Sequence, residues 1–154
     1  MPPRSIESID ALRAQIGQEI GVSDWVTVTQ EMIDAFAQTT GDHQWIHVDV
    51  ERARRESPFQ STIAHGFLTL SLITQLHSGA VSVDAGQAMG INYGLNRVRF
   101  VNPVRAGSRV RGHSKVLGVD EFAEGVQVTW QISVELENID KPALVAEWVT
   151  RVYW

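Results

Sequence analysis

The apolar positions change period about halfway along the chain. In the first half they recur at helical spacing, and in the second they alternate. Residues 5–16 place Ile6, Ile9, Leu12 and Ile16 on one helical face, with Ser5 as the expected N-cap. Asp24-Trp25-Val26-Thr27-Val28 reads as a short strand. Thr29 then caps a helix over Gln30 to Thr40, whose Met32, Ile33 and Phe36 form an apolar face. Gly41 stands where a left-handed residue closes a helix. A polar and aromatic loop follows, Asp42-His43-Gln44-Trp45-Ile46-His47-Val48, and Asp49 caps a short charged helix ending before Pro58. Residues 63–77 predict a longer helix, about 22 Å in length. Its Phe67, Leu68, Leu70, Leu72, Ile73 and Leu76 are not confined to one stripe, so it is expected to be buried nearly all round.

Residues 126–136 alternate cleanly. Val126, Val128, Trp130, Ile132, Val134 and Leu136 point one way, and Gln127, Thr129, Gln131, Ser133 and Glu135 the other. That is a half-buried strand roughly 35 Å long. Segments 87–93, 97–101, 109–117 and 143–153 also read as strands. Gly107, Gly118 and Gly125 punctuate them, and Asn102-Pro103 marks a turn. Long antiparallel strands with one wet face need apolar cover on the other. The economical arrangement is α+β, a curved sheet wrapped around the 63–77 helix. A doubly wound fold is disfavoured, because helices and strands are segregated along the chain.

Length and composition narrow the classes. The 154 residues fit one domain, 1–154, with a core of its own. Thirteen Lys and Arg against eighteen Asp and Glu give a net charge of −5, which argues against a nucleic-acid binder. With no cysteine, disulfides, Cys-ligated zinc and thiol nucleophiles are excluded, which fits a cytoplasmic protein. The N-terminus has no apolar h-region, so no signal peptide is expected, and no 18-residue apolar run suggests a membrane span.

Phosphate loops, dinucleotide fingerprints, hydrolase elbows and zincin helices are all absent from the sequence. What remains is Asp42 and His47, five apart just after a helix end. A loop can turn both inward, and a carboxylate beside an imidazole is a general acid/base pair. The plain alternative is an Asp capping backbone amides and a His in an ordinary loop.

The surroundings of the pair favour the first reading. Thr39-Thr40-Gly41-Asp42-His43-Gln44-Trp45-Ile46-His47 resembles the hydratase motif of the MaoC-like family, the (R)-specific enoyl-CoA hydratases. Phe36 fills the motif's preceding aromatic position, and Gln44-Trp45 replaces its usual Asn-Pro. Ile63-Ala64-His65-Gly66-Phe67-Leu68-Thr69 resembles the family's opening of the central helix, and Arg97 to Ser108 its following strand and turn. The resemblance spans roughly residues 20–152. It implies the hot dog fold, a long helix wrapped by a curved antiparallel sheet. It also implies reversible hydration of a trans-2-enoyl-CoA to the (3R)-3-hydroxyacyl-CoA, without cofactor or metal. Asp42 and His47 would then hold the water, one activating it and the other handling the C2 proton. Gly66 would give a backbone N–H to the thioester oxygen, where charge develops. His65 is placed with it on the substrate side, although satisfying nearby backbone is its simpler role.

The other histidines and tryptophans have structural readings. His43 lies outside the chemistry, His77 is a dipole partner near a helix C-terminus, and His113 is expected to be exposed. Trp45 reads as a pocket wall or dimer contact, and Trp25, Trp130 and Trp148 as core. From Arg97 to Lys115 there are six basic residues and no acid. Arg97, Arg99, Arg109 and Arg111 are therefore candidates for the phosphates of coenzyme A, against the alternative of a solvated sheet face. The expected partner is an acyl-CoA or acyl-carrier thioester, with no nucleic acid and no membrane. Edge strands in need of cover predict a homodimer. Two other functions compete with hydration: a hot dog acyl-CoA thioesterase, and a non-catalytic acyl-thioester binding or assembly subunit.

Overall fold

The computed structural model describes residues 1–84, 86 and 89–154. The chain begins with strand β1 (Arg4–Ile6), helix α1 (Ile9–Arg13) and strands β2 (Glu19–Val22) and β3 (Val26–Thr27). Four helices follow: α2 (Gln30–Thr40), α3 (Trp45–Val48), α4 (Val50–Glu56) and α5 (Gly66–Ala80). The second half is β4 (Val81–Val83), β5 (Met89–Phe100), β6 (Arg109–Phe122), β7 (Gly125–Leu136) and β8 (Ile139–Tyr153).

The main sheet is antiparallel, in the order β2-β6-β7-β8-β5, and β3 pairs with β6 beyond β2. The α+β layout expected from the sequence is present: α5 lies across one face of this sheet, mainly against β6. Along β7 every second side chain is buried, as the alternation predicted. The helix reaches the sheet closely because β6 has Gly112 at the crossing. A Cβ there would lie 2.7 Å from Leu76 Cβ. Leu68, Leu72, Ile73 and Leu76 meet Val110, Val116, Ile132, Val134 and Leu144 in one core. Each fully buried aliphatic side chain stabilises by roughly 1.5–3 kcal/mol. No helix among the described residues is long and apolar enough to cross a membrane.

Several expectations are corrected. Residues 5–16 are not one helix. Ser8, not Ser5, is the N-cap of α1, its hydroxyl accepting from the Ala11 N–H at 3.0 Å. Ile6 instead pairs in parallel with Val83. Pairing with β4 competes with the local helical period there, and wins. The strand expected over 24–28 is confined to Val26–Thr27, and a further strand not expected from the sequence, β2 at Glu19–Val22, pairs along the same edge of β6. The expected strands 87–93 and 97–101 are joined in β5, whose two bulges break the alternation, and Gln87 and Ala88 lie outside the described residues. Gly118 marks a bulge inside β6 and not the end of a strand.

Helix α5 starts three residues later than expected, because Ile63 and Ala64 are tied in extended form to Arg105 and Val104. It is also one-sided: Phe67 is 69% exposed, and Ser71, Thr74, Gln75 and Ser78 are open to solvent. Trp130 and Trp148 are core residues, paired across β7 and β8. Trp25 is half-buried under the Arg111 guanidinium, 4.4 Å from its ring. His77 is no dipole partner. It packs on Trp130 and Trp148, its Nδ1 is 3.0 Å from Ser114 Oγ, and burial pushes its pKa down to about 4, so it is uncharged at neutral pH. His113 is half-buried between Glu19 at 3.1 Å and Glu135 at 2.6 Å.

Candidate active site

The local sequence explains how Asp42 leaves the helix before it. Thr29 caps α2 at its start, its hydroxyl accepting from the Met32 N–H. Gly41 closes the helix in the left-handed region at φ 78°, a conformation that costs glycine little. The chain can therefore turn sharply, and Asp42 follows at once. Gln44 is extended (φ −55°, ψ 136°), and Trp45 is the first residue of α3. Those are the conformations an Asn-Pro pair would favour: extended before the proline, and proline at the first helical position. Replacement by Gln44-Trp45 therefore leaves the turn intact. The indole acquires a separate contact, with Arg52 stacked 4.2 Å from its ring centre.

His47 is buried and held from three sides. Its Nδ1–H donates to the Ile63 carbonyl at 2.7 Å, because a carbonyl can only accept. Its own carbonyl accepts from Gln30 Nε2 at 2.8 Å, and the Gln30 side-chain oxygen takes the Thr62 hydroxyl hydrogen. The Ile63 N–H donates to the Ile46 carbonyl. Helix α2, the 62–64 segment and α3 thus form one frame around the ring, and the neutral ring keeps a lone pair on Nε2. Burial lowers the pKa of His47 below the usual imidazole value. The Ile63 carbonyl and Asp42 act against that shift, and His65 adds to it. At neutral pH His47 is a free base.

His65 occupies a position the sequence reading undervalued. Its ring stacks on His47, with centroids 3.9 Å apart, and tilts against Phe36 at 4.9 Å. Its Nε2–H donates to the Asp42 main-chain carbonyl at 3.0 Å. Its Nδ1 is buried without a partner among the described residues. His65 therefore braces both members of the expected pair, one by its ring face and the other by its edge. The signal available in the sequence was a histidine directly before a helix-opening glycine.

Asp42, His47 and His65 bring three side-chain atoms within 4.8 Å of one another. In a stack the in-plane lone pairs of the two rings run side by side and do not converge on a point, and one edge of each ring is committed to a carbonyl. The trio suits proton transfer better than metal chelation.

Gly66 opens α5, and His65 at the N-cap position gives no side-chain bond. The first-turn N–H groups of a helix lack internal acceptors and carry partial positive charge. Gly66 lines a cleft of about 490 Å³ together with Asp42, His47 and His65, walled by Phe36, Phe67 and Phe100. A side chain at 66 would intrude, since a Cβ would lie 3.1 Å from the Phe100 ring. Asp42, His47, His65 and Gly66 thus converge on one cleft. His43 is not among its lining residues.

The basic candidates do not converge. Arg97 and Arg99 lie on β5, whereas Arg109 and Arg111 lie on β6, with β7 and β8 between them, about 14 Å across the sheet. Arg109 pairs with Glu137 at 2.7 Å, and Arg111 with Glu135 at 2.6 Å. The acids that balance them come from the neighbouring strand β7 and the residue after its end. The single positive face expected over 97–115 is not formed.

Comparison with known proteins agrees with this architecture. Residues 12–138 match the family described as MaoC like domain. The chain is 52% identical over 149 residues to "3-hydroxyacyl-thioester dehydratase Z" of Mycobacterium tuberculosis, covering 96% of this chain and 97% of that one. Among solved structures, the "Monoamine oxidase regulatory protein" of Archaeoglobus fulgius superposes with a TM-score of 0.76 at 26% identity, covering 99% and 98% of the two chains. R-Hydratase PhaJ1 of Pseudomonas aeruginosa shares the fold, with a TM-score of 0.67 at 21% identity over 90% and 81%. A helix held in a curved antiparallel sheet, together with a family match over most of its length, establishes that this chain is a hot dog protein of the MaoC-like domain family.

Proposed function

We propose that the protein is a hydro-lyase interconverting a trans-2-enoyl thioester and the (3R)-3-hydroxyacyl thioester, with coenzyme A as the thiol. The carrying observation is that Asp42, the uncharged His47 and Gly66, the first residue of α5, line one cleft. The relative named as a 3-hydroxyacyl-thioester dehydratase supports it, since dehydration is the same equilibrium run backwards. The thioester oxygen accepts from Gly66 N–H, which faces the charge that grows there. Asp42 holds the water by accepting one of its hydrogens, while His47 Nε2 takes the other. The oxygen bonds to C3, and the π electrons move through C2 onto the thioester oxygen. As the enolate collapses, C2 takes the proton back from the imidazolium, so that H and OH are added and both side chains end as they began.

Loss of the conjugated-thioester absorbance on adding trans-2-butenoyl-CoA tests this. Asp42→Asn and His47→Gln should each lower kcat by about 10²–10⁴, the usual worth of acid/base assistance. Unimpaired turnover in both variants overturns the scheme. Release of free thiol in place of hydration makes the protein a thioesterase.

We further propose a homodimer joined along β5. This strand is an edge of the main sheet, and Met89, Ile91, Tyr93, Leu95 and Phe100 on it are exposed. An apolar unpaired edge invites another strand. Light scattering that gives the mass of a single chain would exclude it.

A further inference from the structure

The reaction cleft continues along the central helix. Helix α5 and strand β5 run antiparallel beside each other. Gly66 and Phe67 share the cleft with Phe100, and one turn further on Leu70 and Ser71 share a hollow of about 310 Å³ with Tyr93, Gly94 and Leu95. That hollow has Thr74, Asn92 and Trp148 in common with a cavity of about 240 Å³, which His77 also lines. A groove between helix and strand thus leads from Gly66 to His77, about 16 Å along the helix.

The far cavity is apolar in its walls but not in all its groups. Thr74, His77, Asn92 and Thr150 line it, and among the described residues no Asp, Glu, Lys or Arg does. His77 packs on two tryptophans and its Nδ1 meets Ser114, but its Nε2 has no hydrogen-bond partner among the described residues. The ring keeps some accessible surface where it lines the cavity. Thr150 Oγ1 accepts from Trp130 Nε1 at 3.0 Å, which leaves its own hydrogen to donate. The side chains of Thr74 and Asn92 make no hydrogen bond among the described residues. None of these groups takes part in the acid/base scheme at Asp42 and His47.

A plain alkyl tail in this cavity would strip water from these polar side chains and return no hydrogen bond. A charged tail would meet no counter-ion. A hydroxyl both donates and accepts, so it suits the neutral His77 ring in either tautomer and the threonine and asparagine groups alike. An extended chain advances a little under its ~1.5 Å bond length per carbon, so the cavity lies roughly twelve carbons from a thioester held at Gly66.

We propose that the acyl chain of the substrate carries a hydroxyl group near its far end, roughly twelve carbons from the thioester, and that His77, with Thr74, Asn92 and Thr150, selects it. This rests on the thioester reading above and names the acyl class for it. His77 is here a specificity residue and has no part in the proton transfers.

The test compares trans-2-dodecenoyl-CoA with its ω-hydroxy and ω-carboxy forms. The wild type should show a KM about tenfold lower for the ω-hydroxy ester than for either of the others, with kcat within about twofold, because the contact is made equally in ground and transition states. In His77→Phe/Ser114→Ala the ratio of the ω-hydroxy to the plain ester should fall to about one, and Thr74→Val, a nearly isosteric change at an exposed position, should narrow it about threefold. A plain or ω-carboxy ester bound as well as the ω-hydroxy ester, or a preference that survives both variants, would overturn the proposal. Calorimetric titration with the saturated dodecanoyl-CoA and ω-hydroxydodecanoyl-CoA gives a readout that needs no turnover. Tighter binding of the hydroxy ester by a wild type that hydrates no trans-2-enoyl ester would retain the hydroxyl site and reject the activity. Hydration of trans-2-butenoyl-CoA together with equal affinity for the two saturated esters would retain the activity and reject the hydroxyl site.

Discussion

The imidazole of His65 lies face to face with that of His47, 3.9 Å away and 25° from parallel, while its edge donates to the carbonyl of Asp42. One side chain thus fixes the spacing of the other two. His65→Phe keeps a ring for His47 to rest on and loses the donor; His65→Gln keeps a donor and loses the ring. Each should lower kcat about 10- to 100-fold with KM little changed, because small misplacements of reacting groups are costly. His65→Phe should also move the acid limb of the kcat/KM profile to higher pH, since His65 is one of the influences lowering the pKa of His47. An unmoved limb would make His65 a packing residue only.

Asp42 acts on His47 in the opposite sense. Its charge favours the imidazolium, although burial is the larger influence and keeps the pKa low. In Asp42→Asn the His47 pKa should fall further. Hydration will be too slow to report it, so the histidine nitrogens should be followed by NMR titration. A rise would mean that the carboxylate does not face the ring.

His77 makes stability depend on pH. Its pKa is about 4 in the folded protein against 6.5 unfolded, so the unfolded chain binds more protons between those values. The folded state should therefore lose about 3 kcal/mol as pH falls from 6.5 to 4, the worth of that shift. Chemical denaturation at both pH values measures it. His77→Phe/Ser114→Ala, which removes the imidazole without orphaning the buried hydroxyl, should flatten the slope by that amount.

Gly66 is set by the ring opposite it. A methyl group at 66 lies 3.1 Å from Phe100, so Gly66→Ala should displace that ring and lower kcat about tenfold. In a Phe100→Ala background the same substitution should cost much less. Additive losses in the double variant would show that the two positions are uncoupled.

Gln30 is 17 residues from His47 and bonds to its carbonyl while accepting from Thr62. Gln30→Ala should lower the melting temperature and kcat together, with KM within about twofold. Gln30→Glu keeps the acceptor for Thr62 and loses the donor to His47, so it should restore stability better than activity.

The sequence determined the elements whose signals are local. Thr29 and Gly41 bound α2 from within it, Asp49 caps α4, and the strict alternation of residues 126–136 could only be a half-buried strand. The Asp42–His47 spacing and the helix-opening Gly66 are local too, which is why the cleft's main residues were legible in advance. Other features depended on partners distant in sequence. Ile6 is helical by spacing, but pairs with Val83. Arg109 and Arg111 read as free charges until Glu137 and Glu135 are brought beside them by strand pairing. His65 becomes a brace only when α5 is set against the loop of Asp42. Periodicity and caps act over one or two turns of chain, so the sequence alone determines them. Charge neutralisation, burial and the tautomer of His47 act through space, and the tertiary structure decided them.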